Sequence, residues 1–159
     1  MYTVSDLDRP HEIRSLPQPS VGAPCPVVVT SEHALQLAYY LEYREQDNGE
    51  LDACVLVEFQ QPRASMFGPP NDEAFSGHPL ASRGLHPYAA FEVENSSWLA
   101  GLISMNSVHP YHDPRSFLKY KHYIFAFHDS TFECIATGFR FSEHRGNPWP
   151  ILVRAHPEI

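Results

Sequence analysis

The alternation of apolar and polar residues is clearest over residues 117–141, where it predicts two strands joined by a turn at residues 128–131. Closure around that turn places Phe127 opposite Phe132. Gly138 interrupts the second strand, where we expect a bulge. Because alternate side chains point to opposite faces of a strand, one face carries an apolar core set: Tyr123, Phe125, Phe127, Phe132, Cys134 and Ala136.

The opposite face of this hairpin mixes charged and apolar residues, and we expect it to be partly covered. In the same register Ala126 lies opposite Glu133, which makes His128 the diagonal neighbour of Glu133, within reach of long side chains. His122 shares the face but lies six residues from His128, about 20 Å along a strand. His122 and His128 therefore cannot bind one metal ion.

A second alternating pattern predicts another hairpin nearer the start of the chain. Apolar residues occupy every second position of His33–Tyr43, and the same pattern returns in Asp52–Phe59. Asn48-Gly49 between them is a strong turn signal. A helix over residues 33–43 is the competing interpretation.

The middle of the chain predicts one long connection, one strand and one helix. Residues 60–86 show no sustained period, although Asn71-Asp72-Glu73 favours a single helical turn. Residues 87–94 have the pattern of a strand. The serines that follow it are typical of a helix cap and predict a helix over residues 97–107.

These elements predict a single globular domain over residues 1–159 with an α+β fold. We expect a mostly antiparallel sheet of about five to seven strands with one short helix. The alternative is an all-β sandwich or barrel. Residues 1–26 are predicted to form an irregular leader and residues 142–159 an irregular tail, with residues 151–153 as a possible edge strand.

Composition narrows the classes of function and the location. The formal net charge of −8 argues against binding of nucleic acid or anionic lipid. No apolar run approaches the ~18 residues of a membrane span, and the start of the chain lacks the pattern of a secretory signal. Cys25, Cys54 and Cys134 cannot all pair with one another and match no zinc motif, which predicts reduced thiols in a cytoplasmic protein.

The pair of His128 and Glu133 is the main candidate for acid–base chemistry. A neighbouring carboxylate fixes the tautomer of an imidazole and raises its pKa, so that His128 would act as a general base or acid. Asp129 is a competing partner for His128. The alternative is that these residues only satisfy hydrogen bonds around the turn. Cys134 is discounted as a nucleophile because it points to the core face.

The loop over residues 67–80 is the second candidate. Gly68 and Gly77 favour turns that would display ligand-binding side chains on the loop. No phosphate-binding glycine motif is present, so no nucleotide cofactor is indicated. The alternative is an ordered cover over the sheet. The predicted ligand-binding residues are Asn71, Asp72, Glu73 and His78.

Ten histidines invite a metal hypothesis, which the spacing does not favour. His109 and His112, with Asp113 beside them, are weak candidates that would need help from the 67–80 loop. Four of the ten histidines immediately precede proline, a position typical of turns and loops.

The sequence therefore predicts a soluble domain with a small-molecule pocket centred on His128 and Glu133, with residues 67–80 as its rim. Acid–base catalysis of an unknown reaction is the chemistry expected there. The alternative is a noncatalytic module that binds a protein partner, and a divalent-metal-binding protein is the third option.

Overall fold

The structure of the protein, a computed structural model, describes residues 2–42 and 52–155. These residues contain nine strands in two antiparallel sheets and two α-helices. The predicted α+β class is confirmed, and the number of strands is higher than the five to seven expected. None of the described helices is long and apolar enough to cross a membrane.

The larger sheet has five strands in the order β1-β6-β7-β8-β5, and all neighbouring strands run antiparallel. β7 and β8 are the predicted final hairpin, and β6 is the strand predicted over residues 87–94. β1 lies within the leader that was expected to be irregular. The five strands are β1 (Arg9–Glu12), β5 (Ala64–Gly68), β6 (Ala89–Glu94), β7 (Lys121–Ala126) and β8 (Thr131–Ala136).

The smaller sheet has the order β2-β3-β4-β9 and is also antiparallel. β3 and β4 form the predicted first hairpin, whereas its expected turn at Asn48-Gly49 lies outside the described residues. The strands are β2 (Val27–Thr30), β3 (Leu35–Tyr40), β4 (Ala53–Gln60) and β9 (Gly138–Arg145).

The two sheets pack face to face around a shared apolar core, an arrangement that the sandwich alternative also has. The core takes its residues from β3 and β4 on one side and from β6, β7 and β8 on the other. Ring contacts join the sheets, with Phe59 of β4 edge-on to Phe125 of β7 at 5.8 Å between centroids. Burial of these aromatic side chains removes apolar surface from water and stabilises the packing of the two sheets.

The chain changes sheets three times, between β1 and β2 and at two further corners that lie next to each other. It leaves β4 for β5 after Gln60, and it leaves β8 for β9 at Thr137. The N–H of Thr137 donates to the Gln60 carbonyl at 2.9 Å, which ties the corners together. Gly138, where we expected a bulge, is instead the first residue of the strand in the other sheet.

The turn between β7 and β8 is tighter than predicted and moves their register by two residues. The N–H of Phe127 donates to the Ser130 carbonyl at 2.9 Å, so His128 and Asp129 alone form the tip. Ile124 then lies opposite Glu133. A shift of two residues leaves every side chain on its predicted face but changes its neighbours.

The outer, mixed face of the five-stranded sheet is covered by residues 75–85. Two short 3₁₀ helices, Phe75–Gly77 and Ala81–Arg83, lie in this segment. They place apolar side chains on the sheet, which therefore has core on both faces. The cover contributes Phe75, Leu80 and Leu85.

The two α-helices differ in how far the sequence predicted them. α1 (Ser97–Asn106) matches the predicted helix and its cap. α2 (Pro148–Ala155) replaces the predicted edge strand at residues 151–153, which was wrong. The Asn147 side chain accepts from the Trp149 N–H at 2.9 Å, and proline is tolerated in a first helical turn. Leu152 of α2 packs against the smaller sheet.

Candidate functional site

Glu133 lies on the covered face of β8 and is paired with His122, not with His128. The Nε2 atom of His122 is 2.8 Å from Oε2 of Glu133. His78 reaches the other oxygen, with 3.1 Å between its Nε2 and Oε1 of Glu133. Tyr2 donates its hydroxyl to Oε2 at 2.7 Å. The predicted pairing of His128 with Glu133 is therefore wrong, because the register is shifted by two residues.

Second hydrogen bonds orient both imidazoles of this buried cluster. Nδ1 of His78 accepts from the Leu80 N–H at 3.1 Å, which leaves Nε2 as the donor to Glu133. Nδ1 of His122 lies 2.9 Å from Oγ of Ser96, whose oxygen already accepts from a backbone N–H and whose proton is available to the ring. Both rings thus present Nε2 to Glu133 as a donor.

The surroundings keep Glu133 ionised in the interior. Burial by itself would raise the pKa of this carboxyl, but hydrogen bonds from His122, His78 and Tyr2 outweigh burial and lower the pKa to about 2. Burial and the Glu133 charge raise the pKa of Tyr2, which stays a donor. Trp98 closes the cluster, stacked on Tyr2 at 5.6 Å and edge-on to His122 at 5.1 Å. The polar side-chain atoms of Glu133, His78, His122, Tyr2 and Ser96 all have hydrogen-bond partners, which stabilises the buried cluster.

The predicted pocket over the final hairpin is reduced to a small cavity beside Glu133. It has a volume of about 140 Å³ and is lined by Met66, Phe67, Gly68, Pro69 and Thr131 together with Glu133. Part of the predicted 67–80 rim therefore borders it. His128 does not line this cavity, and Glu133 is only 5% exposed.

His128 forms a second, accessible cluster with Asp72 and Tyr88. Nδ1 of His128 lies 2.8 Å from Oδ2 of Asp72 and 3.1 Å from the Tyr88 hydroxyl. The same Asp72 oxygen accepts a very short hydrogen bond from Tyr88. The Asp72 N–H donates to the His128 carbonyl at 2.8 Å, so the backbone of the 67–80 loop is fixed to the hairpin tip.

The charges of this second cluster are well defined. Hydrogen bonds from Tyr88 and His128 lower the pKa of Asp72, and the bond to Asp72 raises the pKa of Tyr88 to about 12. Asp72 is therefore an anion that accepts from a neutral phenol and from the Nδ1–H of His128. The Tyr88 backbone has a φ of 62°, a left-handed conformation that is costly for a tyrosine and is often found at functional sites.

The outer nitrogen of His128 faces solvent. The His128 side chain is 40% exposed, and the nearest carboxylate to Nε2 is Asp129 at 4.0 Å. Among residues 2–42 and 52–155, no side chain or backbone group makes a hydrogen bond to this nitrogen. An imidazole held at Nδ1 by a carboxylate with Nε2 open has the geometry of a general base.

The four predicted ligand-binding residues have separate environments. Asn71 accepts from the Ala74 N–H at 3.0 Å and stabilises the turn. Asp72 belongs to the His128 cluster. Glu73 is exposed, whereas His78 belongs to the cover and its side chain is buried, not displayed on the loop.

Sequence reasoning missed Tyr88, Tyr2 and Ser96 as members of these clusters. Nothing local marks Tyr2, which lies 131 residues from its partner. Ser96 was identified as a helix cap, but its bond to His122 depends on how α1 sits on β7. Tyr88 could be found only by knowing that β6 pairs with β7.

The weak metal candidates are occupied by local hydrogen bonds. Nδ1 of His109 accepts from the Tyr111 N–H, and Nδ1 of His112 lies 3.0 Å from the Asn106 side chain. Asp113 forms an ion pair with Arg115 at 3.0 Å. In the described part of the chain, no three His, Cys, Asp or Glu side chains converge in a way that would hold a metal ion.

No protein-family model, curated protein or solved structure matches the chain.

Proposed function

We propose that the protein is a cytoplasmic domain that binds a small molecule and uses His128 as a general base, oriented by Asp72 and Tyr88. The observation that supports this proposal is the fixed Nδ1 of His128 beside an open Nε2. The buried histidines at positions 78 and 122 have both ring nitrogens bonded and lie out of reach of a substrate. Three unpaired cysteines fit a reducing compartment.

The chemistry follows from the charge of each group. Nε2 of His128 would accept a proton from a water molecule or a substrate hydroxyl, and the imidazolium formed would be stabilised by the Asp72 carboxylate. Asp72 stays ionised because two hydrogen bonds hold its charge. Tyr88 fixes the position of Asp72, so it is a positioning residue, and His128 alone would contact the substrate.

A comparison of matched variants tests this function. Purified protein is assayed on a panel of small esters, lactones, amides and phosphate esters, together with the His128→Gln and Asp72→Asn variants. We expect a hydrolytic activity that each substitution lowers by roughly 10²-fold or more. The control is His11→Gln, since His11 forms an exposed pair with Glu94 at 3.2 Å and should leave the activity unchanged.

Two results would contradict the proposal. The first is an activity that survives His128→Gln. The second is the absence of activity across the panel, combined with a reaction of His128 with diethyl pyrocarbonate that is no faster in wild type than in Asp72→Asn. An imidazole oriented by Asp72 should react faster than the same imidazole without that partner.

The second candidate function is noncatalytic binding of a protein partner. α1 and the loop after it display four large apolar side chains that are at least 70% exposed. Replacement of Val108 and Leu118 by aspartate should abolish such binding and leave the His128 chemistry intact. The exposed set is Met105, Val108, Tyr111 and Leu118.

A further inference from the structure

Three connections of the chain meet at one end of the two packed sheets and line an open cleft with a volume of about 420 Å³. These are the turn between β2 and β3, the corner between β4 and β5, and the residues that lead into β7. Tyr120 lies on the buried side of the cleft and is only 7% exposed. His128 follows the other end of β7, so the cleft is separate from the candidate general base.

The backbone around the cleft is fixed by hydrogen bonds. The Arg63 N–H donates to the Ile135 carbonyl at 2.8 Å, and the Tyr120 N–H donates to the Phe117 carbonyl at 3.0 Å. Gln61, also in the lining, has a φ of 46°, a left-handed conformation that is costly for a residue with a side chain and is often found at functional sites. The side chains that line the cleft therefore extend from well-defined positions.

Two cations lie against the ring of Tyr120. Cζ of Arg63 is 5.4 Å and Nζ of Lys119 is 5.5 Å from the ring centroid. Nε of Arg63 donates to the Tyr120 hydroxyl at 2.8 Å, which orients the guanidinium. Its two terminal nitrogens have no hydrogen-bond partner among residues 2–42 and 52–155. Nζ of Lys119 donates to the side-chain carbonyl of Gln61 at 2.8 Å. The guanidinium fork is thus held in place with its outer donors available, the arrangement that binds carboxylates.

The charges of the cleft are not paired with one another. Elsewhere Lys121 and Arg140 each form an ion pair with a glutamate at 3.0 Å or less. Within the described part of the chain, Arg63 and Lys119 pair with no carboxylate, although the protein has a formal net charge of −8. Glu32 lines the same cleft and forms an ion pair with neither cation. The cleft therefore presents a positive and a negative region separately.

We propose that this cleft binds a small zwitterion of the amino-acid class. Arg63 and Lys119 would hold the carboxylate of the ligand, and Glu32 would hold its ammonium group. A ligand with only a carboxylate would leave Glu32 without a partner, and a ligand with only an ammonium group would leave both cations without one. The volume of the cleft lies in the range of roughly 300–1,000 Å³ that is usual for small-molecule sites. The proposal does not depend on the general base at His128.

Calorimetric titration with the natural amino acids tests the proposal. Each amino acid that binds is compared with the analogue that lacks its ammonium group and the analogue that lacks its carboxylate, which are propionate and ethylamine for alanine. We expect at least one amino acid to bind and both of its analogues to bind roughly tenfold more weakly or worse, because each loses charge-assisted hydrogen bonds.

Matched variants locate the binding. Arg63→Gln and Glu32→Gln should each weaken the binding of the amino acid by roughly tenfold or more. Arg14→Gln and Glu94→Gln make the same changes of charge at exposed positions outside the cleft and should leave the affinity unchanged.

Several results would overturn the proposal. The first is that no amino acid binds. The second is that the analogue without an ammonium group binds as tightly as its amino acid, or that Glu32→Gln leaves the affinity unchanged or raises it, since the cleft would then be a site for simple anions. If Arg63→Gln does not fold, Lys119→Gln replaces it, because the Lys119 side chain is exposed and bonded to Gln61 alone. An affinity that Lys119→Gln does not lower would also overturn the proposal.

Discussion

At the scale of single residues, Glu133 is an anion held inside the protein by three hydrogen-bond donors. A buried carboxylate without partners would take up a proton, whereas hydrogen bonds from His122, His78 and Tyr2 stabilise its charged form. When the charge is removed, the remaining group cannot accept hydrogen bonds from all three donors. The cluster is therefore where single substitutions should cost the most stability.

We predict that Glu133→Gln lowers the free energy of unfolding by roughly 2–4 kcal/mol at pH 7, because an amide cannot accept from all three donors. The pKa of Glu133 is lowered from 4.5 to about 2 in the folded protein. Its contribution is therefore complete above pH 4.5 and is lost as the pH falls through 2, an effect of roughly 3 kcal/mol.

Urea denaturation at several pH values measures this effect. The difference in free energy of unfolding between wild type and Glu133→Gln should decrease as the pH is lowered from 4.5 to 2. Glu92→Gln is the control, because Glu92 forms only a half-exposed ion pair with Lys121 at 3.0 Å and should cost less than about 1 kcal/mol. If this difference stays constant over the range, the folded protein does not stabilise the charged form of Glu133.

The residues of both clusters show how far sequence reasoning reaches at this scale. The side chains of β7 and β8 lie on their predicted faces because the period of a strand is fixed. The partner of Glu133 could not be predicted, since one tighter turn replaces His128 by His122 as its neighbour. The role of Asp72 as the partner of His128 depended on a loop whose path no periodic pattern determines.

At the scale of elements, α1 is fixed to the rest of the protein by its N-cap residue, Ser96, and by its first residue, Ser97. Oγ of Ser96 accepts from the Leu99 N–H at 3.2 Å and also contacts Nδ1 of His122 at 2.9 Å. Next to it, Asp8 accepts from both the N–H and the hydroxyl of Ser97. The N-terminus of α1 thus joins β7 and the segment before β1.

We predict that Ser96→Ala lowers the free energy of unfolding by roughly 2–3 kcal/mol, because it removes a helix cap and leaves the buried Nδ1 of His122 unpaired. Thermal or urea unfolding measures the loss. Ser104→Ala, on an exposed position of the same helix, should change stability by less than about 0.5 kcal/mol. Equal losses in the two variants would mean that Ser96 acts only through helix propensity.

Elements with local signals were predicted well and elements that depend on distant partners were not. β3, β4, β6 and α1 have a clear period or a cap in their own sequence. β1 has only four residues, and it exists because β6 offers it an edge. α2 was missed because Pro148 and Pro150 suggest a break, although a first helical turn accepts both.

At the scale of the whole molecule, burial divides the cysteines into two classes. Cys25 is exposed, whereas Cys54 and Cys134 are fully buried. Burial raises the pKa of both buried thiols, which makes their thiolates scarce at neutral pH. The reactivity of the thiols therefore reports on the integrity of the core.

We predict that Ellman's reagent modifies one thiol rapidly in the native protein and the remaining two only after denaturant unfolds the core. The increase in absorbance before and after addition of guanidinium chloride gives the number of thiols that react in the native and in the unfolded protein. The variant Cys25→Ser should show no rapid phase. Rapid modification of two thiols in the native wild type would contradict either the packing of β8 in the core between the sheets or the burial of Cys54 on the outer face of β4.

The contact between Tyr2 and Glu133 also has a consequence for biosynthesis. At ~5–20 residues per second, the ribosome delivers Glu133 roughly 7–26 s after Tyr2. During that interval Tyr2 lacks its acceptor, and the two histidines that share this acceptor, His78 and His122, are synthesised only 55 and 11 residues before it. This cluster therefore forms late in translation. A chain stalled before residue 133 would lack the buried carboxylate and would be bound by chaperones or degraded by proteases.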